Sequence, residues 1–177
     1  MPRGRQFGRR DQGSLNSERI KQEFGSFGIE VIECSAERRV ASLYSLENGA
    51  RVCRTYADVA FNVSVVPELA VEHALVLAGQ SIGAVFKGRG WSITKGHTHI
   101  GSVTLTPDDS AILSLMHLEP PQRVAVHSYV FEVRKGGSVF DYATITERHH
   151  PCYLTAADLK AIYGEPRYAQ PGRATAR

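Results

Sequence analysis

The chain has 177 residues, 42% hydrophobic and 22% charged, the balance of a single domain able to bury a core, and no apolar run approaches the roughly 18 residues of a membrane-spanning helix. Its formal charge of +3 is unevenly spread: residues 1–13 (Arg3, Arg5, Arg9 and Arg10 against Asp11) carry +3, residues 165–177 (Arg167, Arg173 and Arg177 against Glu165) carry +2, and the body carries −2. These basic segments hold Gly, Pro and Gln without a hydrophobic period, so 1–13 and 165–177 are expected to be disordered tails, and a nucleic-acid face on the folded body is not supported.

Within the body, 14–164, Asn16 or Ser17 can cap a first helix in which Glu18 occupies the first turn, Ile20 and Phe24 pair at i, i+4, and Gly25 is the stop. Alternation predicts strands over Gly28–Cys34 and Arg38–Leu46, and Glu47-Asn48-Gly49 is a hairpin turn leading into a strand over Arg51–Phe61. Pro67 opens a helix carrying apolar residues at helical spacing from Glu68 to Ala78, and a short helix over Ile82–Phe86 follows Gly79-Gln80-Ser81. A strand over Trp91–Ile100 comes next, then a helical turn from Pro107 through Leu115. Strands over Val124–Arg134 and Ser138–Glu147 flank the loop Lys135-Gly136-Gly137, and a helix over Thr155–Tyr163 ends at Gly164. No βαβ rhythm is present, so the expected fold is α+β, a mostly antiparallel sheet covered by helices and able to enclose a small-ligand cavity.

Alternation in the last strand puts Val139, Ala143, Ile145 and Glu147 on one buried face, and a buried carboxylate needs a partner. Its bland alternative is a strand-end acid paired to Arg134 or Arg148. Arg54 lies mid-strand, where burial of a guanidinium requires an acceptor, and Arg38 and Arg39 begin the preceding strand. Arg39 shares a face with Ala41 and Leu43, Arg38 with Val40 and Tyr44, and the pattern alone leaves open which of the two enters a pocket. The loop Gly79-Gln80-Ser81-Ile82-Gly83 opens a helix whose backbone N–H groups could receive a carboxylate or hydroxyl, although it is no phosphate loop.

His97 and His99 project to one side of a strand as metal-binding pairs do, with His149 and His150 as further potential ligands. No Asp, Glu or His follows them at the short offset that completes such a site, so no metal is expected. His127 reads as a hydrogen-bonded sheet residue. Cys34, Cys53 and Cys152 lack paired spacing and read as free buried thiols of a cytoplasmic protein, and the N-terminus lacks the apolar segment of a secretory signal.

From Arg38 to Leu154 the order of these pieces resembles the chorismate lyase family (4-hydroxybenzoate synthases) and its wider superfamily, which includes effector-binding domains of bacterial regulators. The resemblance rests on the Arg39-Val40-Ala41-Ser42-Leu43 strand, the Asn48-Gly49 turn, a second arginine strand, the helix entering Ser81-Ile82-Gly83, the Ser92-Ile93-Thr94-Lys95 strand and the terminal Thr146-Glu147. Departures are the longer stretch between Gly101 and Val124, and His149-His150-Pro151 where the family has leucine-proline. The resemblance implies a cofactor-free carbon–oxygen lyase that removes pyruvate from chorismate or a related small anionic acid. Arg39 and Arg54 would then bind carboxylates, the Ile82 N–H would orient the ligand, and Glu147 would contact the ring hydroxyl and manage one proton. The alternative it carries is a non-catalytic domain sensing a small aromatic acid.

Overall fold

In the computed structural model, which describes residues 14–62 and 66–164 apart from the side chains of His97 and Thr98, six strands form one antiparallel sheet. The basic segments 1–13 and 165–177 lie outside the described residues. The strands are β1 (Gly28–Cys34), β2 (Arg38–Glu47), β3 (Ala50–Phe61), β4 (Ser92–Leu105), β5 (Gln122–Lys135) and β6 (Ser138–His149), ordered β1-β2-β3-β6-β5-β4. Two meanders therefore meet along the β3–β6 ladder at the centre of the sheet, where Ala57 faces Glu147 and Val59 faces Ile145. The α+β expectation holds: the helices are α1 (Asn16–Phe24), α2 (Ala70–Leu77), α3 (Ile82–Gly88), α4 (Ser110–Met116) and α5 (Ala156–Tyr163).

Local chemistry accounts for most element ends. Gly25 adopts a left-handed conformation and its N–H bonds the Lys21 carbonyl, closing α1. Asn48 and Gly49 both have positive φ, as a two-residue hairpin turn demands. At α5, the Thr155 hydroxyl accepts from the Asp158 N–H at 3.2 Å and the Asp158 carboxylate accepts from the Thr155 N–H at 2.8 Å, a reciprocal cap. The start of α1 differs from expectation. Leu15 is its N-cap and receives no side-chain cap, and its N–H instead donates to Glu18 at 2.9 Å. Asn16 is thereby released from capping and turns its side chain into the interior.

Two bulges shift which residues face inward. Between β5 and β6 the pairing passes from Phe131↔Ala143 to Glu132↔Asp141, leaving Tyr142 as an extra residue. Strict alternation therefore fails across it, and Val139, expected on the buried face with Ala143, is 49% exposed. Between β2 and β3 the pairing passes from Leu43↔Thr55 to Tyr44↔Cys53, so Arg54 is the extra residue there. The cysteines are all free, as expected, but only Cys53 is buried, while Cys34 and Cys152 are exposed.

The main core packs α2 and α3 on the sheet through Phe86, Trp91, Phe131 and Tyr142, with aromatic rings meeting edge to face. A second cluster holds α1 and α5 against the sheet through Ile20, Tyr153, Leu159 and Ile162. Between these two packed regions, beneath α1 and the start of α3, the sheet face is left open. No helix among the described residues is long and apolar enough to cross a membrane.

Candidate functional site: an arginine and a glutamate in one chamber

The opening is floored by small side chains. Ala41 of β2 and Ala57 of β3 face each other in register, and their methyl groups leave space that larger residues would fill. Around them lie Leu43, Val59, Phe131 and Ile145, with Leu15, Asn16 and Ser17 of the α1 entry above and Ser81, Ile82 and Gly83 of the α3 entry at the side. The volume is about 80 Å³, below the roughly 150 Å³ of a cavity that holds benzene, so a ring would extend into the chamber's open side, where the apolar walls suit a ring face. Gly83 lets the two helix entries meet closely at the chamber's edge: a Cβ there would lie 2.7 Å from Leu15 Cδ2 and would displace the end of that side chain.

Three of the four expected site residues line this chamber: Arg39, Ile82 and Glu147. Arg39 and not Arg38 faces inward. Arg38 is exposed and bonded to Asp58 at 2.9 Å and Glu33 at 3.1 Å, whereas Arg39 is 2% exposed. Register places Arg39 opposite Val59, next to Ile145, and Glu147 opposite Ala57. Their backbones are thus two strands and two residues apart, about 12 Å, before the side chains reach toward each other.

Arg39 carries the main electrostatic anomaly of the fold. Its guanidinium donates to the carbonyls of Val76 at 3.0 Å, Gln80 at 2.7 Å and Gly79 at 3.3 Å, at the C-terminal end of α2. Those dipoles favour a cation but supply no full negative charge. No carboxylate lies within ion-pair distance among the described residues, and Nε is buried without a hydrogen-bond partner. Burial lowers the guanidinium's pKa from its ordinary value, the expected sign for a desolvated cation lacking an anion.

The structure does not bring Arg54 to the chamber. The bulge directs its guanidinium over the Phe24 ring at 4.0 Å, where Nε donates to Ser45 at 2.8 Å and Nη2 to Glu47 at 2.8 Å. Its acceptors are local, so a ligand is not needed to explain it. A lysine lines the chamber where a second arginine was expected: Lys95 of β4, whose Nζ stands 4.6 Å from the Tyr129 ring centroid and 5.5 Å from that of Tyr163. Sequence reasoning passed over Lys95, although it ends the Ser92-Ile93-Thr94-Lys95 strand already singled out.

Glu147 is 5% exposed and is not paired to Arg134 or Arg148; Arg134 is bonded to Glu132 at 2.6 Å. It belongs to a buried polar network instead. Asn16 Nδ2 donates to Glu147 Oε1 at 3.3 Å and to Thr55 Oγ1 at 3.1 Å, and its Oδ1 accepts from the Tyr153 hydroxyl at 2.6 Å. The Tyr129 hydroxyl also interacts with Glu147, and burial first and the carboxylate second push its pKa well above 10, so it remains a proton donor. Beyond Glu147, the carboxylate's Oε2 lies 3.7 Å from His149 Nε2 and 3.9 Å from His127 Nδ1.

The histidine expectations are redistributed. The His97 side chain lies outside the described residues, and His99 is exposed. His150 is held in the turn after β6, its Nδ1 accepting from the Cys152 N–H at 3.0 Å and its Nε2 bonding the Met116 carbonyl at 3.1 Å. His127, expected only as a sheet residue, is fully buried, stacked on Tyr163 at 4.6 Å between ring centroids and beside Tyr129 at 4.7 Å. Among the described residues, the group able to hold a metal ion is His127, Glu147 and His149. Its sequence signal was the same-face spacing Glu147-x-His149, hidden because the strand was read as ending at Glu147.

No protein-family model matches this chain, and no curated protein matches it.

Proposed function

We propose that the chain binds a small cyclic carboxylic acid in the chamber, with the carboxylate at Arg39 and the far end of the ring at Glu147, and that it acts on chorismate or a close relative as a cofactor-free pyruvate lyase. The observation that carries this reading is the Arg39 guanidinium: a buried cation with an unpartnered Nε, on an apolar chamber, with no carboxylate within ion-pair distance among the described residues. Leaving such a charge uncompensated costs several kcal/mol, on the order of the desolvation penalty of a buried ion, and an anionic ligand removes that cost. Lys95 supplies the second positive charge that a dianion requires, in place of Arg54. The first-turn N–H of Ile82 orients the ligand, as helix entries do for anions and hydroxyls.

In the lyase reading, aromatisation of the ring drives loss of the enolpyruvyl group: the ring carbon–oxygen bond breaks, its electron pair leaves on the enolpyruvate oxygen, Glu147 takes one ring proton, and protonation of the departing enolpyruvate to pyruvate restores the balance. The chain's part is to hold the acid between Arg39 and Lys95, exclude water with Leu15 and Phe131, and manage that proton at Glu147, oriented by Asn16 and Tyr129. The small volume favours a second reading, a binding domain that retains an acid no larger than 4-hydroxybenzoate. Incubation of purified protein with chorismate, followed by the ultraviolet absorbance of 4-hydroxybenzoate and by pyruvate release, separates the two. Product formation abolished in Glu147→Gln supports the lyase. Absence of product with tight binding of 4-hydroxybenzoate supports the binding domain, and absence of both overturns the small-acid reading.

A further inference from the structure

We propose that His127, Glu147 and His149 form a binding site for one first-row divalent cation, of the zinc or iron type, in the wall of the chamber; an ion there would occupy Glu147, so this is a state distinct from the cofactor-free one proposed above, in which Glu147 handles the proton. In the β5–β6 ladder His127 stands directly opposite Glu147, and His149 follows two residues later on the same face, so the sheet itself aims all three side chains at one point. The three ligand atoms lie within 4.8 Å of one another, and all three residues are buried. Two imidazoles and one carboxylate are a donor set that suits such ions and leaves coordination positions open.

The spacings argue for an ion more than for direct hydrogen bonds. The gaps from Glu147 Oε2 to His149 Nε2, 3.7 Å, and to His127 Nδ1, 3.9 Å, are both too long for a hydrogen bond. At a metal–ligand distance of about 2.1 Å these two gaps subtend roughly 125–135° at a central ion, and since the three atoms lie within 4.8 Å of one another, the two imidazoles would draw together by up to about 1 Å to share it. His149 Nε2 is buried without a hydrogen-bond partner. The other ring nitrogen, Nδ1, sits 3.0 Å from Thr55 Oγ1, which itself accepts from Asn16. The Thr55 contact is compatible with either tautomer; the one that carries its proton on Nδ1 leaves the Nε2 lone pair facing Glu147, the form in which His149 ligates a cation. The two oxygens of Glu147 are divided accordingly, Oε1 toward Asn16 and Oε2 toward both histidines. Thr55 and Asn16 then act as the outer partners that orient metal ligands.

One carboxylate does not neutralise a dication, so an ion here favours an anionic additional ligand, and Glu147, unlike the two histidines, also lines the chamber.

The test uses the full chain without a polyhistidine tag, carrying Cys34→Ser and Cys152→Ser to remove the exposed thiols, stripped with a chelator and titrated with Co(II) and then Zn(II). The expected result is one equivalent of Co(II) with visible ligand-field bands, displaced by Zn(II), and a Zn(II)-dependent rise in melting temperature. His149→Ala should lose at least about tenfold in metal affinity together with the melting shift, since even outer partners cost that much. The control His99→Ala, an exposed histidine, should lose neither. Glu147→Gln provides an independent second variant should His149→Ala fail to fold. Absence of bands and of a melting shift in the parent protein, or metal binding unchanged in the folded variants, overturns the site.

Discussion

Replacing Arg39 with methionine keeps an unbranched apolar stem, shortens the side chain and removes its charge, and the structure sets opposite expectations for stability and for binding. The substitution removes three hydrogen bonds to the carbonyls of Val76, Gly79 and Gln80. At about 0.5–1.5 kcal/mol each, that loss is on the order of 2–4 kcal/mol. It also removes a guanidinium that is 2% exposed and lacks a carboxylate partner, relieving a desolvation penalty of several kcal/mol. The two terms oppose, so Arg39→Met should unfold within about 2 kcal/mol of the parent in urea. Ligand binding has no such compensation: removing one partner of a buried charge pair costs about 2–5 kcal/mol, or roughly 30- to 4,000-fold in affinity for 4-hydroxybenzoate. Calorimetric titration of both proteins, with urea melts on the same samples, measures the two quantities. A folded Arg39→Met that binds the acid as tightly as the parent refutes the role of the unpaired charge.

The other consequences are more local. Arg54→Met should leave acid affinity within about twofold but lower stability by roughly 2–3 kcal/mol, because its bonds to Ser45 and Glu47 and its place over Phe24 are structural. Lys95→Met should weaken binding of a dianion by about tenfold at low salt, with little effect on the melting temperature, and the difference should shrink as salt rises. Ala57→Leu should fill the floor of the chamber, abolishing binding measurable by calorimetry while changing stability by no more than about 1–3 kcal/mol, since the added volume enters existing space. For pH, burial first, then Arg19 and Lys95, lower the His149 pKa to about 3 from 6.5. The unfolded chain then takes up a proton near 6.5 that the folded chain refuses until about 3, so this contribution is complete above pH 6.5 and lost as pH falls toward 3. Urea melts of the metal-free protein should show the parent losing stability over that window, and His149→Asn should show a smaller loss.

The sheet and the identity of its key side chains were legible because period-2 alternation is reliable wherever the ladder is regular. Glu147 lies in such a stretch and turns inward with Ile145 as alternation requires, whereas the choice between Arg38 and Arg39, open in the pattern, is settled by the fold, which pairs Arg38 with Asp58 and Glu33 and buries Arg39. Arg54 was misplaced because it is the extra residue of a bulge, and a bulge leaves no mark in the apolar pattern of Arg51–Phe61. The same failure put Val139 on the buried face, Tyr142 being the bulged residue there. Asn16 was read as a helix cap, a fair use of its chemistry, but Leu15 takes that position and Asn16 bonds Glu147 from 131 residues away. Contacts of that range, like the meeting of His127 with His149, arise from the order of the strands and are invisible to local pattern.

The most direct measurement is the structure of the chain with 4-hydroxybenzoate bound. The account predicts a carboxylate oxygen within about 3 Å of Arg39 Nε, the ring over Ala41 and Ala57, and the hydroxyl directed at Glu147. A ligand bound elsewhere on the molecule, or a chamber that stays empty at saturating acid while Arg39 keeps only its three backbone carbonyls, would contradict it.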